Sequence, residues 1–109
     1  MELRWVYITC KNRDQALHIG RLLVESRLAA CANVMESMHS LYWWQGEVVE
    51  DQEAVLIVKA RAAHLDLLIK AVKSAHSYET PCIVALPILE GNPDYLAWLA
   101  AETEHPLTH

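Results

Sequence analysis

Residues 32–60 read ANVMESMHSLYWWQGEVVEDQEAVLIVKA, and this stretch decides how the chain folds. Two runs rich in aliphatic, β-branched and aromatic residues flank the dipeptide Gln45-Gly46, a pattern that predicts one long β-hairpin. Along the first arm, every second residue from Val34 to Tyr42 is predicted to face one side of the sheet, and the residues between them the other side. One continuous segment is thus expected to supply two neighbouring strands.

The predicted hairpin is too long for one small domain to cover. Each arm of about 13 residues would extend roughly 40 Å at about 3.3 Å per residue, whereas a domain of this size has a radius of gyration of about 13 Å. The outer half, with Tyr42, Trp43 and Trp44 at its tip, is therefore expected to project. Large aromatic side chains on an unpaired edge favour a contact with another subunit, and closed cyclic symmetry satisfies every copy. The alternative is that these side chains line a ligand pocket.

The composition is that of an ordinary globular protein. The chain has 109 residues, of which 53% are hydrophobic and 21% charged, so it can form a core without disulfides or a structural metal. We expect a single domain spanning residues 1–109. A net charge of −5 without a basic cluster argues against a nucleic acid partner. The longest apolar runs fall far short of the ~20 residues that cross a bilayer, which argues against a membrane partner.

The cysteine content and the N-terminal sequence favour the cytoplasm. Three cysteines, an odd number without CxxC spacing, are typical of a reducing compartment rather than of a disulfide framework. The opening residues MELRWVYITC lack the charged, apolar and small-residue order of a signal peptide. We therefore predict a cytoplasmic protein.

Five further elements are predicted around the hairpin. Their patterns place a first strand at 3–9, a helix at about 12–27, a second helix at about 62–75, a short strand at 82–86 and a final helix beginning at Pro93. Residues 102–109 are expected to fray. Gly20 lies inside the first helix at a cost of up to about 1 kcal/mol relative to alanine. A close approach of that helix to the sheet is the expected reason.

The order of these elements predicts the fold class. A βαββαβ chain followed by a helix is the ferredoxin-like, split βαβ arrangement of the α+β class. Right-handed crossovers give the strand order 4-1-3-2, with neighbouring strands antiparallel and the first two helices on one face of the sheet.

This topology places three possible metal ligands at one end of the sheet. Cys10 ends the first strand, His76 follows the second helix, and Cys82 begins the fourth strand beside the first. Two thiols and an imidazole form a soft donor set suited to copper(I), zinc or related ions. The alternative is structural, because free cysteines are often simply buried and a histidine at a helix C-terminus interacts favourably with the helix dipole.

Other polar residues give little evidence of enzyme chemistry. Glu47, Glu50, Asp51 and Glu53 are expected to form a solvated strand face. The sequence contains no phosphate-binding glycine loop and none of the common hydrolase motifs. Cys10 with His76 could form a nucleophile and base, but a third orienting group is not evident. We therefore predict no catalytic residues and no enzyme activity.

Several motifs, in order along almost the whole chain, resemble the CutA divalent-cation tolerance family. They are LAACAN at residues 28–33, SLYWWQG at 40–46, Lys59 after a VLIV run, HSYETP at 76–81 and GNPDYLAWL at 91–99. The resemblance implies a ferredoxin-like protomer in a tight homotrimer, similar to the PII signalling proteins, with neighbouring hairpins joined into intersubunit sheets. It also implies a link to tolerance of copper and other divalent cations.

The resemblance also implies where a metal would bind. In the family, the cysteine that ends the first strand and the histidine of the H-x-Y motif are associated with metal, and these positions are Cys10 and His76. Two departures stand nearby: Ser77 replaces a usual proline, and Cys82 replaces a usual acidic residue. The exchange of a carboxylate for a thiol either favours soft metals or makes the site partly apolar. Copper or another divalent or soft metal ion is the expected bound ion, with no organic cofactor.

Two other functions stay open beside the metal-associated homotrimer. One is a PII-like binding module whose intersubunit cleft holds a small anion or metabolite. The residues of that cleft would be Tyr42, Lys59, Tyr78, Glu79 and Trp98. The other is a small enzyme of the acylphosphatase type, which can share this fold, although fold does not imply function. Residues 10–13 carry only a weak signal for the anion-binding loop that such an enzyme needs.

Overall fold

The computed structural model describes residues 2–107 and contains the predicted elements in the predicted order. They are β1 (Leu3–Cys10), α1 (Arg13–Glu25), β2 (Cys31–Trp44), β3 (Glu47–Arg61), a single 3-10 turn (Ala62–His64), α2 (Leu65–Ala75), β4 (Ile83–Pro87) and α3 (Pro93–Glu102). The predicted boundaries are right to within a few residues. The largest difference is at α2, where the 3-10 turn precedes the regular helix.

The four strands form one sheet in the order β2-β3-β1-β4, and each strand is antiparallel to its neighbours. This arrangement confirms the ferredoxin-like α+β fold with a long β2–β3 hairpin and a C-terminal helix. β1 lies at the centre, so that Ile8 pairs with Leu56 of β3 on one side and with Ile83 of β4 on the other. β2 and β4 are the edge strands.

Helices α1 and α2 cover one face of the sheet. Their apolar side chains pack in one cluster with alternate residues of β1 and β3, including Ile8 and Leu56. Gly20 of α1 faces this contact, and a Cβ added there would lie 3.1 Å from Leu56 Cδ1 and 3.2 Å from Ala32 Cβ. The expected close approach of helix to sheet is therefore confirmed.

Helix α3 packs on the opposite face. Asn92 caps it by accepting a hydrogen bond from the Asp94 N–H, and Pro93 occupies its first turn. Leu99 is buried in a second, smaller cluster with Leu3. Because Leu3 is separated from Val6, Ile8 and Cys10 by the strand alternation, this cluster lies on the face of the sheet away from α1 and α2. We call this side the open face.

The predicted fraying from residue 102 is wrong for the part of the tail that the structure describes. Thr103 is fully buried, and its hydroxyl donates to the Leu99 carbonyl at 2.9 Å. The Leu107 N–H donates to the Ser26 carbonyl at 2.7 Å. The tail is fixed because it continues directly from a docked helix. His109 and Thr108 lie outside the described residues.

The hairpin runs unbroken from its base to a tight turn. Gln45 and Gly46 have φ angles of 50° and 81°, as a two-residue turn with both residues in the left-handed region requires. Trp43 at the tip is 74% exposed. The prediction that the outer half of the hairpin projects from the rest of the chain is thus confirmed.

A β-bulge interrupts the first arm of the hairpin. Met35 pairs with Val55 and Met38 with Glu53, so two residues of β2 oppose one residue of β3. The extra residue reverses the side to which later residues point. The predicted continuous alternation from Val34 to Tyr42 is therefore wrong. Val34 packs toward the helices, whereas Tyr42 lies on the face of Glu53.

Candidate functional site

The three predicted metal ligands lie at one end of the sheet, around Thr9. The Thr9 N–H donates to the Cys82 carbonyl at 3.3 Å, and the Thr9 carbonyl is 2.7 Å from His76 Nε2. Cys10 is the next residue along β1. The prediction that the segments carrying Cys10, His76 and Cys82 meet at this end of the sheet is therefore correct for their backbone positions.

Their side chains, however, are divided by the sheet. Cys10 is fully buried in the cluster beneath α1 and α2, while Cys82 is exposed on the open face beside Thr9 and Tyr78. Successive residues of a strand point to opposite faces, so Cys10 and its neighbour Thr9 cannot contribute to one site on the same side. The sulfur atoms are thus presented to different environments.

Both ring nitrogens of His76 already form hydrogen bonds. Its Nδ1 accepts a hydrogen bond from the Tyr78 N–H at 3.1 Å, so the ring proton is on Nε2, which donates to the Thr9 carbonyl at 2.7 Å. A metal would have to displace one of these bonds. Among residues 2–107, no group of three or more His, Cys, Asp or Glu side chains is arranged to hold a metal ion. Within this chain, Cys10, His76 and Cys82 therefore do not fit together as a metal site.

The protonation of Cys10 gives a measurable pH dependence. Burial, with a smaller contribution from the Glu53 charge, raises the pKa of the Cys10 thiol from its ordinary 9.0 to about 11. Because the folded protein holds this proton more tightly than the unfolded chain, the stabilisation is complete below about pH 9 and is lost as the pH rises through about 11.

We therefore expect the free energy of unfolding of the wild-type protein to fall more steeply between about pH 9 and pH 11 than that of Cys10→Ala. Urea denaturation at fixed protein concentration over this range measures both slopes. Val58→Ala, which alters a fully buried side chain without a titratable group, is the control and should keep the wild-type slope. Equal slopes for wild type and Cys10→Ala would contradict the buried, protonated thiol.

A cleft of about 520 Å³ opens on the other side of the same sheet end. It lies on the open face, between the outer half of the hairpin and the segment that connects α2 to β4. Its lining comprises Thr9, Ser40, Leu41, Tyr42, Trp43, Trp44, Val49, Glu53, Tyr78, Glu79, Thr80 and Cys82. The hairpin tip is thus both exposed surface and the wall of a cleft. The cleft agrees with the alternative prediction that the aromatic side chains of the tip line a ligand pocket.

Glu53 is the central polar group of this cleft. Its side chain belongs to a residue only 8% exposed, and the Tyr78 hydroxyl donates to its Oε2 at 2.8 Å. Burial and the Glu53 charge raise the pKa of Tyr78, so this phenol stays a donor. No Lys, Arg or His of residues 2–107 forms an ion pair with Glu53.

The sequence missed this role of Glu53. Glu47, Glu50 and Asp51 are exposed, as predicted for a solvated strand face, but Glu53 is covered by the segment around Tyr78. One feature of the sequence could have indicated that Glu53 is buried. It directly precedes the apolar run 54–58, where the hairpin joins the core of the protein.

The five residues predicted for a ligand cleft lie in two separate groups in this chain. Tyr42, Tyr78 and Glu79 line the cleft described above. Lys59 lies six residues along β3 from Glu53, roughly 20 Å away at about 3.3 Å per residue. There its Nζ donates to Asn33 Oδ1 at 3.1 Å and lies 5.8 Å from the centre of the Tyr95 ring, against which Trp98 packs at 5.5 Å.

Known proteins resemble this chain over most of its length. A family model described as CutA1 divalent ion tolerance protein matches residues 4–102. The divalent-cation tolerance protein CutA of Thermus thermophilus is 50% identical over 98 residues, which are 90% of this chain and 95% of that protein. The human protein CutA is 39% identical over 90% of this chain, but the chain spans only 55% of its length, as it does for a chloroplastic rice relative.

Solved structures agree with the fold. The divalent cation tolerance protein of Thermus thermophilus superimposes with a TM-score of 0.91 at 48% identity, covering 93% of this chain and 98% of that one. A protein of Archaeoglobus fulgidus, named a periplasmic divalent cation tolerance protein, gives 0.90 at 36% identity with the same coverage. Among residues 2–107, no helix is both long and apolar enough to span a bilayer.

Proposed function

The chain belongs to the CutA1 divalent ion tolerance protein family, and from this we propose that it acts in tolerance of divalent cations as a metal-associated protein without enzyme activity. The match over residues 4–102 carries the proposal, because it spans every element from β1 to α3. The site adds support on one point: Cys10 is buried and both ring nitrogens of His76 are hydrogen-bonded, so neither is free to act as the nucleophile or base considered above.

We further propose that the working form is a homotrimer in the cytoplasm. The uncovered hairpin tip supports assembly, and so do apolar residues of the open face such as Val84 and Leu86, which are exposed in one subunit. Threefold closure would cover the same surface on every copy. Three free thiols favour a reducing compartment, although the names of relatives include chloroplastic and periplasmic proteins.

For the metal contact we propose Cys82 rather than Cys10. Of the three predicted ligands, Cys82 alone has a donor atom that is both exposed and free of a hydrogen bond in the described part of the chain. A soft ion such as copper(I) is the metal that a thiolate favours. The remaining ligands would come from outside the subunit, because three donors do not converge within it.

Copper and zinc titrations of the assembled protein test this assignment. We expect Cys82→Ser to weaken copper(I) binding by about tenfold or more, because it removes the soft donor. Cys10→Ala should leave the affinity unchanged, because the buried Cys10 thiol faces the core. Competition with a chromogenic chelator measures the affinity, and Cys31→Ser serves as the control thiol variant.

The opposite pattern is equally informative. Loss of binding in Cys10→Ala with retention in Cys82→Ser would restore the ligand assignment implied by the family resemblance. Identical binding in all variants would remove the thiols from the metal-response role altogether.

A second candidate function is a small-ligand-binding module of the PII type. The cleft beside Glu53 supports it, because a volume of about 520 Å³ falls within the range of small-molecule sites. The two candidates can be separated on the same preparation, since metal affinity and small-molecule affinity are measured independently.

A further inference from the structure

Two charged side chains of β3 have no partner of opposite sign in the described part of the chain. Glu53 is only 8% exposed, and no Lys, Arg or His among residues 2–107 forms an ion pair with it. Lys59 is half-buried and donates to Asn33 Oδ1 at 3.1 Å, but no Asp or Glu of the same residues forms an ion pair with it. A buried charge is costly unless a counter-charge reaches it.

These two groups cannot neutralise each other within one chain. Glu53 and Lys59 are six residues apart on β3, which is continuous between them because the bulge lies on β2. An even separation places both side chains on the open face, roughly 20 Å apart at about 3.3 Å per residue. The open face thus carries an unpaired negative group at one end and an unpaired positive group at the other.

Four aromatic residues surround the two charges, and each is between 38% and 48% exposed in this chain. They are Tyr42 and Trp44 beside Glu53, and Tyr95 and Trp98 beside Lys59. We call the first group together with Glu53 the acidic patch, and the second together with Lys59 the basic patch. Aromatic residues are enriched in the contacts between subunits, so both patches have the composition of an interface.

The acidic patch complements the basic patch but not a second copy of itself. A contact between two acidic patches would bring Glu53 against Glu53, and like charges at an interface cost several kcal/mol. A contact between unlike patches instead supplies each charge with its counter-charge and buries aromatic surface on both copies. Such a contact is heterologous, and it closes into a ring when the rotation between copies allows it. In a closed ring no copy keeps an unpaired charge.

We propose that Lys59 of one subunit enters the cleft of the next subunit and pairs with Glu53, so that every acidic patch is covered by a neighbour's basic patch. The aromatic rings around both groups would keep water away from the pair, and its attraction is stronger for that reason. This inference rests on the proposed homotrimer and does not depend on the metal role. It names the two surfaces through which the subunits join and the charge pair at the centre of each contact.

Charge reversal tests the pairing on the full-length protein. Glu53→Lys and Lys59→Glu each place like charges in all three contacts of a trimer. Each should raise the midpoint concentration of dissociation by about tenfold or more. The double variant Glu53→Lys/Lys59→Glu restores opposite charges and should recover most of the loss. Lys70→Glu reverses an exposed lysine of α2, on the helix-covered side, and should behave like the wild type.

Fluorescence-detected sedimentation measures the midpoint concentration. For trimers too tight to dissociate on dilution, the rate of subunit exchange between two labelled pools gives the same comparison. If Glu53→Lys fails to fold, Lys59 still decides the result, because its side chain contacts only Asn33 and Tyr95 among the described polar and aromatic groups. Lys59→Gln should then weaken assembly, and Lys59→Arg, which keeps the charge, should preserve it.

A mixture of the two single variants shows whether the pair lies between subunits. A contact between the acidic patch of Glu53→Lys and the basic patch of Lys59→Glu has opposite charges, and so has the reverse contact. A ring of three cannot alternate two variants, so a mixed trimer keeps one unfavourable contact. We therefore expect the mixture to be more stable than either variant alone but less stable than the double variant.

The other outcomes contradict the proposal in different ways. A wild-type protein that sediments as a monomer overturns the homotrimer and the pairing together. A wild-type trimer whose stability is unchanged by the single reversals, or is not recovered in the double variant, overturns the pairing alone. Full recovery in the mixture would indicate a ring with an even number of copies and overturn the threefold arrangement.

Discussion

Replacing residues 41–50 with Asn-Gly is expected to convert the proposed trimer into monomers. Ser40 and Asp51 are already cross-strand partners of the same hydrogen-bonded type as Trp44 and Glu47, which close the natural turn, so the new two-residue turn joins them in the existing register. The change removes the exposed aromatic tip but no residue of the cluster beneath the helices. Since the outer hairpin has no cover within its own subunit, its apolar surface is available for stabilising contacts between subunits.

Sedimentation velocity over a range of protein concentrations measures this result. The matched control is Gln45→Asn, which keeps the full hairpin and places asparagine at a position whose φ of 50° it tolerates well. That variant should sediment like the wild type. A shortened protein that remained trimeric would show that the subunits associate mainly through the rest of the open face.

Leu56→Ala is expected to lower the free energy of unfolding by about 2–5 kcal/mol, the range for removing a fully buried leucine side chain. Leu56 is fully buried at the centre of the sheet, paired with Ile8, and its Cδ1 lies under Gly20. The glycine has no side chain that could move into the space. Against a total stability of about 5–15 kcal/mol, this loss is large.

Urea denaturation at one fixed protein concentration gives the difference. Leu67→Ala is the matched control, because Leu67 lies on α2 at 46% exposure and alanine is at least as good a helix former. Its effect should stay within about 0.5 kcal/mol. A comparable loss in both variants would mean that the helix-covered face is not the main core.

The fold could be predicted because its signals are local and consistent with one another. Asn12 and Asn92 mark the starts of two helices with capping hydrogen bonds, and Gln45-Gly46 marks the hairpin turn. The order of elements then restricts the sheet to one topology. Even the close helix–sheet contact at Gly20 followed from a residue that is otherwise unfavourable inside a helix.

The site was harder to predict because it depends on which face each side chain occupies. The sequence placed Cys10, His76 and Cys82 at one end of the sheet, which is correct, but the two thiols point to opposite sides of it. The bulge between Met35 and Met38 likewise changed the face of the outer hairpin without any glycine or proline to mark it. Glu53 became a buried cleft residue because a distant segment, carrying Tyr78, folds over it.

The bulge determines which insertions and deletions the hairpin can accept without changing the faces of its outer residues. Before the bulge, packing against the helices decides which residues of β2 face each side of the sheet. After the bulge, the alternation starts again with the opposite assignment. A single residue gained or lost at Glu36 or Ser37 would turn every outer side chain over, exchanging Tyr42 and Trp44 for Trp43 and Leu41 on the face of Glu53. Lengthening or shortening the tip by cross-strand pairs preserves that assignment. The length of the hairpin can therefore change without changing which side chains share the face of Glu53. Only a change at the bulge alters that set of side chains.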